Sequence, residues 1–177
     1  MTQVDRTPSG EADWVVRAAE PGDVAAVDAL IRQLAVSQGH PEAVTARPSD
    51  LAEALFAGTS TTHCFVCLDG DGRVVAIALW FVIYSTWVGR HGIWLEDLVV
   101  EESVRGRGVG RLLMQRLAQE CLDRGCARLD WTVLTDNDGG RRFYDRLGAR
   151  RLATARIHRL DGEGLARLAG PAEGRVP

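Results

Sequence analysis

The segment that most constrains the fold of this chain is the arginine- and glycine-rich stretch from Val104 to Arg111. It follows an apolar run typical of a β-strand and opens a long amphipathic helix predicted from about Gly108 to Arg124. Glycines let the backbone approach a ligand closely, and a helix N-terminus offers unpaired N–H groups to an anion. The pattern therefore predicts a strand–loop–helix unit with an anion site. The alternative is that Glu101 and Glu102 neutralise the arginines of a solvated loop.

The spacing of this segment excludes two common phosphate-binding motifs. It is R-x-x-G-x-G, formed by Arg105, Gly108 and Gly110, and Arg111 stands where a Rossmann dinucleotide motif needs glycine. All 21 basic residues are arginine, so a Walker-type phosphate loop and a pyridoxal Schiff base have no lysine.

Composition indicates an ordinary folded protein. The 177 residues are 46% apolar with a net charge of −3, which gives no reason to expect nucleic acid or an anionic membrane as a partner. The longest apolar run, Val74 to Ile83, is too short to span a bilayer. The N-terminus carries Asp5 and Arg6 without an apolar core, so we do not expect it to be a signal peptide. Cys64 and Cys67 lie in an apolar run, and Cys121 and Cys126 have the wrong spacing for a zinc pair. We therefore expect buried thiols, no metal, and a cytoplasmic location.

Periodicity predicts one domain, residues 13–169, between a disordered leader, 1–12, and a flexible tail, 170–177. The predicted order is strand, two helices, three strands, helix, strand, helix and one or two last strands. The predicted ranges are Trp14 to Ala18, a helix opening at Pro21, a helix from about Asp50 with Glu53 as its capping partner, Thr62 to Leu68, Val74 to Tyr84, Gly92 to Glu101, Gly108 to Arg124, Leu129 to Leu134, Asp138 to Leu147 and Arg151 to Leu160.

Two adjacent carboxylates, Glu96 and Asp97, interrupt an apolar strand, on opposite faces if the pleat is regular. Burying either charge is costly without a partner, whereas a carboxylate that faces a cleft is suited to act as a general base. Glu96 is the stronger candidate for a functional role. The alternative is that one of the two caps a loop or pairs with an arginine.

The third candidate segment runs from Asn137 to Gly148. Asn137 is suited to cap the helix or to contact the amide of a ligand. Tyr144 lies beside the packing stripe, where its hydroxyl would point toward the strand ends, although a packing tyrosine is the simpler reading. Gly148 is predicted to close the helix.

These segments, in this order, resemble the GNAT superfamily of acetyl-CoA-dependent N-acetyltransferases, over about Val15 to Leu168. The stretch Leu95-Glu96-Asp97 and the earlier Tyr84 to Gly89 and His63 to Val66 resemble its diamine branch, the spermidine/spermine and thialysine type. The resemblance implies an α/β fold of the α+β type, with a mixed, mostly antiparallel sheet of six to seven strands flanked by about four helices. It also implies a homodimer.

The resemblance implies specific roles. Acetyl-CoA would be the co-substrate, a small-molecule amine the acceptor, and transfer would be direct. The pantetheine arm would pair with a splayed strand, Tyr144 would protonate the departing thiolate, and Glu96 would take a proton from the acceptor, with Asp97 and Trp87 also lining the acceptor site. Trp87 is equally consistent with a core or dimer contact. The implied cofactor-binding residues are Leu98, Val99, Val100, Arg105, Gly106, Arg107, Gly108, Val109, Gly110, Arg111, Asn137 and Tyr144.

The sequence departs from the diamine branch at two places. Ser85 stands where the branch usually has Asp, and the stretch 150–156 is basic where the branch has acidic and Trp residues. Fewer carboxylates disfavour a long polyamine, because each desolvated cation needs a counter-charge. An amino acid or a mono-cationic amine remains open. Two other functions remain open as well, a non-catalytic acyl-CoA-binding module and an acetyltransferase of protein or peptide amines.

Overall fold

The computed structural model describes residues 5–6 and 14–170, and the chain divides after Asp136 into two compact units. The first unit contains a six-stranded sheet in the order β1 to β6, with strands Asp5–Arg6, Val15–Ala18, Thr62–Leu68, Val74–Ser85, Arg90–Val100 and Leu129–Trp131. Its helices are α1, Val24–Ser37; α2, Pro48–Phe56; and α3, Val109–Asp123. The second unit contains α4, Asp138–Arg146, and α5, Gly162–Ala169.

The sheet confirms the predicted mixed and mostly antiparallel architecture. Strands β1 to β5 pair as antiparallel neighbours, and only β6 joins β5 in parallel. The Asp69–Gly72 segment turns between β3 and β4, as its Asp-Gly repeats predict. β1 has two residues, and these lie inside the predicted leader; the remainder of residues 1–12, and the tail beyond Gly170, lie outside the described residues. The single domain predicted for residues 13–169 stays a prediction.

Alternation along the central strands places a core on each face of the sheet. On one face, Val27 and Leu30 of α1 pack against Val66, Ile77 and Val99. On the other face, α3 buries Leu113 and Leu117, and the Arg116 guanidinium lies 4.5 Å from the centre of the Phe65 ring. All four cysteines are buried and unpaired, and burial raises the pKa of Cys64 and Cys67 to about 12.

Three predicted elements are wrong or displaced. No strand forms over Arg151 to Leu160 in the part of the chain that the structure describes; those residues are exposed, and a fifth helix, α5, follows them where about four helices were expected. β6 ends at Trp131 instead of Leu134. Asp50 is not the cap of α2 but sits in its first turn, where its carboxylate accepts from the N–H of Arg47.

The missing last strand has a physical reason in its side chains. The stretch 150–156 contains three arginines and three small residues, so neither face of an extended segment would bury enough apolar surface. In α5, Leu165 and Leu168 are three residues apart and share one helix face.

Candidate active site

The turn into α3 exposes a cluster of backbone donors. Gly106 and Gly108 adopt φ angles of 79° and 85°, the left-handed region that favours glycine, and no side chain caps the helix. Within the described residues, no protein acceptor meets the N–H groups of Gly106, Gly108, Val109, Gly110 and Arg111. Such a group of N–H donors at the positive end of a helix dipole is suited to hold a phosphate or diphosphate.

The ion pairs do not match the alternative of a solvated loop, in which Glu101 and Glu102 would neutralise the arginines of this turn. Glu101 forms an ion pair with Arg73, at 2.8 Å between Arg73 Nη1 and Glu101 Oε2. Arg105 turns back and donates from Nε to the carbonyl of Val100 at 3.0 Å. Among the described residues, Arg105, Arg107 and Arg111 form no ion pair with a carboxylate. The turn therefore keeps its positive charge for a ligand.

The strand that leads into this turn has one open edge. β5 pairs with β4 from Arg90 to Val100 except at Glu96, but its parallel pairing with β6 stops at Leu95. From Glu96 to Val100, the backbone thus has a neighbouring strand on one side only, and this range includes Leu98 and Val99. An open strand edge offers N–H and C=O groups to an extended ligand, as the predicted splay requires.

A β-bulge lies at the start of this open edge. Leu79 pairs with Asp97 and Trp80 pairs with Leu95, so Glu96 has no partner residue on β4. The pleat is therefore not regular, and the expectation that it would separate Glu96 and Asp97 on opposite faces does not hold as stated. Bulges often redirect a side chain next to a functional site. Here the exposed Glu96 carboxylate accepts a hydrogen bond from the indole Nε1–H of Trp94 at 2.9 Å.

Trp94 is a site residue that the sequence reasoning missed. Its position two residues before Glu96 could have indicated this contact, because residues two apart in a strand share a face. Its N–H fixes the direction of the Glu96 carboxylate without supplying a charge. Glu96 is thus oriented and accessible to solvent, which suits a group that exchanges protons with a ligand.

Asp97 occupies a more enclosed environment than Glu96. It is half-buried, and burial, with a smaller contribution from the nearby Glu96 charge, raises the pKa of Asp97 to about 6. The carboxyl group is therefore largely ionised at pH 7 but at an energetic cost. Such a cost is common at functional sites, where groups are retained for reasons other than stability.

We expect Asp97→Asn to stabilise the protein at pH 8 and to leave stability unchanged below about pH 4. The pKa is higher in the native state than in the unfolded chain, so native stability falls as the pH rises through this range. The full shift corresponds to about 2–3 kcal/mol. Urea unfolding at both pH values measures it, with Asp71→Asn in the exposed hairpin turn as control. Equal stability of Asp97→Asn and the parent protein at pH 8 would contradict this expectation.

The second unit contains the other two predicted site residues, Asn137 at the N-cap of α4 and Tyr144 within α4. Asn137 caps the helix, its side-chain oxygen accepting from the N–H of Gly140 at 2.8 Å. Tyr144 packs edge-on against Phe143, with ring centres 5.0 Å apart, and burial raises the pKa of Tyr144 to about 12. Its phenol therefore stays protonated at neutral pH. Gly148 follows the helix with a φ angle of 82°, as predicted.

Trp87 lies at the tip of the β4–β5 hairpin and not in the core. Its side chain is 98% exposed. No group of three or more His, Cys, Asp or Glu side chains suited to a metal occurs in the described ranges 5–6 and 14–170. None of the helices described is long and apolar enough to cross a membrane.

Comparison with known proteins identifies the family. The model of the acetyltransferase (GNAT) family matches residues 29–149. Thialysine N-epsilon-acetyltransferase of Bos taurus is 34% identical over 166 residues, which cover 88% of this chain and 97% of that protein. L-ornithine N5-acetyltransferase of Arabidopsis thaliana is 30% identical over 95 residues, 54% of this chain and 42% of that protein.

Solved structures agree with this assignment. An integron cassette protein from the mobile metagenome of V. cholerae has a TM-score of 0.74 and 26% identity, covering 89% of this chain and 98% of that chain. An acetyltransferase of Trypanosoma brucei has a TM-score of 0.67 and 27% identity, with 84% and 99% covered. The family model spans well over half of the sequence. The chain therefore belongs to the acetyltransferase (GNAT) family and is an N-acetyltransferase.

Proposed function

We propose that this protein transfers the acetyl group of acetyl-CoA directly to the primary amine of a small molecule. The observation that carries the proposal is the set of N–H groups of Gly106 and of Gly108 to Arg111, which have no protein acceptor among the described residues. They directly follow an open strand edge that begins at Glu96. A diphosphate fits the first feature, and an extended amide-containing arm fits the second.

The cofactor-binding roles follow the shape of these two features. Acetyl-CoA supplies an acetyl group activated as a thioester. The backbone of Leu98, Val99 and Val100 binds the pantetheine arm, and one of its N–H groups polarises the thioester carbonyl. The turn from Gly106 to Arg111 binds the diphosphate, while Arg105 holds the turn against the end of β5. Asn137 contacts the cofactor arm.

The catalytic roles belong to one base and one acid. Glu96 takes a proton from the acceptor ammonium through water, which frees the nitrogen lone pair to attack the carbonyl carbon. As the carbon–sulfur bond breaks, Tyr144 donates its phenolic proton to the leaving thiolate. The acceptor nitrogen releases its second proton to solvent as the amide forms, and the phenol regains a proton from solvent. The raised pKa of Tyr144 keeps the phenol in its protonated form before this step. Asp97 and Trp87 line the acceptor site.

The acceptor class is supported by the relatives. Thialysine and L-ornithine appear in the names of two relatives, and both are small molecules with a primary amine at the end of a side chain. The basic stretch 150–156 and Ser85 in place of Asp argue against a long polyamine. We further propose a cytoplasmic homodimer. The exposed Trp87 and the half-exposed Val88 beside it support an interface, and light scattering that finds a monomer would contradict the dimer.

Release of free CoA thiol across a panel of diamines, amino acids and peptide N-termini tests the proposal. Turnover with a small amine is the expected result. At about 100 times its Kd, acetyl-CoA should also stabilise the fold by about 2.7 kcal/mol, seen as a higher Tm. Binding without turnover would favour a non-catalytic acyl-CoA-binding module. Turnover with peptides alone would favour an acetyltransferase of protein amines. Absence of both binding and turnover in the folded protein would refute the proposal.

A further inference from the structure

An ion pair lies on the face of the sheet that carries Glu96. The Nε of Arg128 is 2.7 Å from Oδ2 of Asp130 on β6. Asp130 pairs in parallel register with Trp94, so the two side chains point to the same face. Trp94 in turn donates its indole N–H to Glu96. The Arg128–Asp130 pair and the proposed catalytic base therefore share one surface of the first unit.

A glycine on β5 makes room for the Arg128 side chain. A Cβ atom at Gly92 would lie 3.0 Å from Cγ of Arg128 and 3.1 Å from its carbonyl oxygen, so a larger residue would displace it. The arginine crosses β5 at this point and donates from Nη1 to the buried Ser85 hydroxyl on β4 at 3.2 Å. The guanidinium is thus held by Asp130 on β6 and by Ser85 on β4.

The pair keeps unused binding capacity. A guanidinium has five N–H donors. Among the described residues, the guanidinium of Arg128 contacts only the side chains of Asp130 and Ser85. The Arg128 side chain is 42% exposed and that of Asp130 is 26% exposed, so solvent reaches both. An exposed ion pair adds little stability of its own. Because this pair contributes little to folding stability, its charges are suited to bind a ligand.

The arrangement of charge indicates what this ligand carries. A positive and a negative group side by side complement the carboxylate and the ammonium on the α-carbon of an amino acid. Gly92, beneath Arg128, is four residues from Glu96, which corresponds to about 13 Å along a strand. The Glu96 carboxylate leans back toward Trp94 and shortens this gap. Asp130 is in register with Trp94, two residues or about 7 Å along the strand from Glu96, which suits an acceptor whose reacting amine is several bonds away from its α-carbon.

We propose that the acceptor is an α-amino acid with a terminal side-chain amine, recognised by Arg128 through its α-carboxylate and by Asp130 through its α-ammonium. This inference rests on the proposed acetyl transfer and adds a reason for selectivity. A diamine offers an ammonium to Asp130 but leaves the Arg128 guanidinium without an anion, so it gains less binding energy than an α-amino acid. Arg128 and Asp130 are specificity-determining residues in this proposal and take no part in the chemical step.

Three acceptors with the same terminal amine test it. L-ornithine carries both α-groups, putrescine lacks the carboxylate, and 5-aminopentanoate lacks the α-ammonium. We expect kcat/KM for L-ornithine to exceed that for each of the others by about 10- to 100-fold. Arg128→Gln should lower kcat/KM for L-ornithine to the level of putrescine, because the α-carboxylate then loses its charged partner. Asp130→Asn should remove the advantage over 5-aminopentanoate.

Arg124→Gln is the matched control. The Arg124 side chain is also 42% exposed and ion-paired, but it lies over Trp80 on the α3 face, so we expect it to keep both ratios. If Arg128→Gln fails to fold, Arg128→Lys, which keeps the charge but loses the fork, should lower the ratio in part. The inference would be overturned if the parent protein acetylated putrescine with the same kcat/KM as L-ornithine. It would also be overturned if Arg128→Gln lowered kcat/KM equally for all three acceptors. If neither these three acceptors nor any other amine leads to release of CoA thiol, the acetyl transfer itself is refuted.

Discussion

Tyr144→Phe is expected to lower kcat by about 10²- to 10⁴-fold, the range for a lost general acid. The change removes one hydroxyl and keeps the ring that packs against Phe143, so the fold of α4 should persist. The KM for acetyl-CoA should change little, because the phenol acts on the leaving sulfur and not on the diphosphate. Steady-state release of CoA thiol, with circular dichroism to check folding, measures both parameters.

The only other tyrosine in the chain provides the matched control for this substitution. Tyr84 is 57% exposed and packs edge-on against His91 in the first unit. Tyr84→Phe removes the same hydroxyl and should leave kcat unchanged. An undiminished kcat in Tyr144→Phe would remove Tyr144 from the mechanism and would assign protonation of the thiolate to solvent or another group.

Gly108→Val is expected to raise the KM for acetyl-CoA by about 10- to 100-fold. A β-branched residue is strained at a φ angle of 85°, so the turn would relax and its N–H groups would no longer converge on one anion. The same strain should lower the free energy of unfolding by about 1–2 kcal/mol. Kinetics at saturating acceptor and urea unfolding separate the two effects.

Gly39→Val isolates the effect of backbone strain. Gly39 follows α1 with a φ angle of 77°, and a Cβ atom at either glycine would meet nothing within 4 Å. Both substitutions should therefore cost similar stability, but Gly39→Val should keep the KM for acetyl-CoA. If both variants raise this KM equally, the effect comes from the loss of stability and the turn at Gly108 is not a diphosphate site.

The features predicted correctly from the sequence are those that local chemistry determines. The start of α3 directly after Gly108 and the turn between β3 and β4 follow from glycines and from nearby apolar spacing. The open edge of β5 was implied only through the family resemblance. Its physical origin is the short β6, which ends at Trp131, and no local pattern in β5 itself indicates it.

The features that were missed depend on partners distant in sequence. The bulge at Glu96 results from the register between β4 and β5, which the pattern of β5 alone does not specify. The Arg128–Ser85 contact joins residues 43 positions apart. The last predicted strand, Arg151 to Leu160, is wrong because its arginines and small side chains give little β-propensity.

The burial of the four cysteines has a practical consequence for enzymology. A thiol reacts with disulfide reagents as its thiolate, and a pKa near 12 leaves Cys64 and Cys67 almost entirely un-ionised at pH 8. Cys121 and Cys126 are also shielded from solvent. A chromogenic disulfide added during turnover should thus record the coenzyme product continuously, with little background from the folded enzyme. The appearance of protein-derived colour would then report unfolding in the same cuvette.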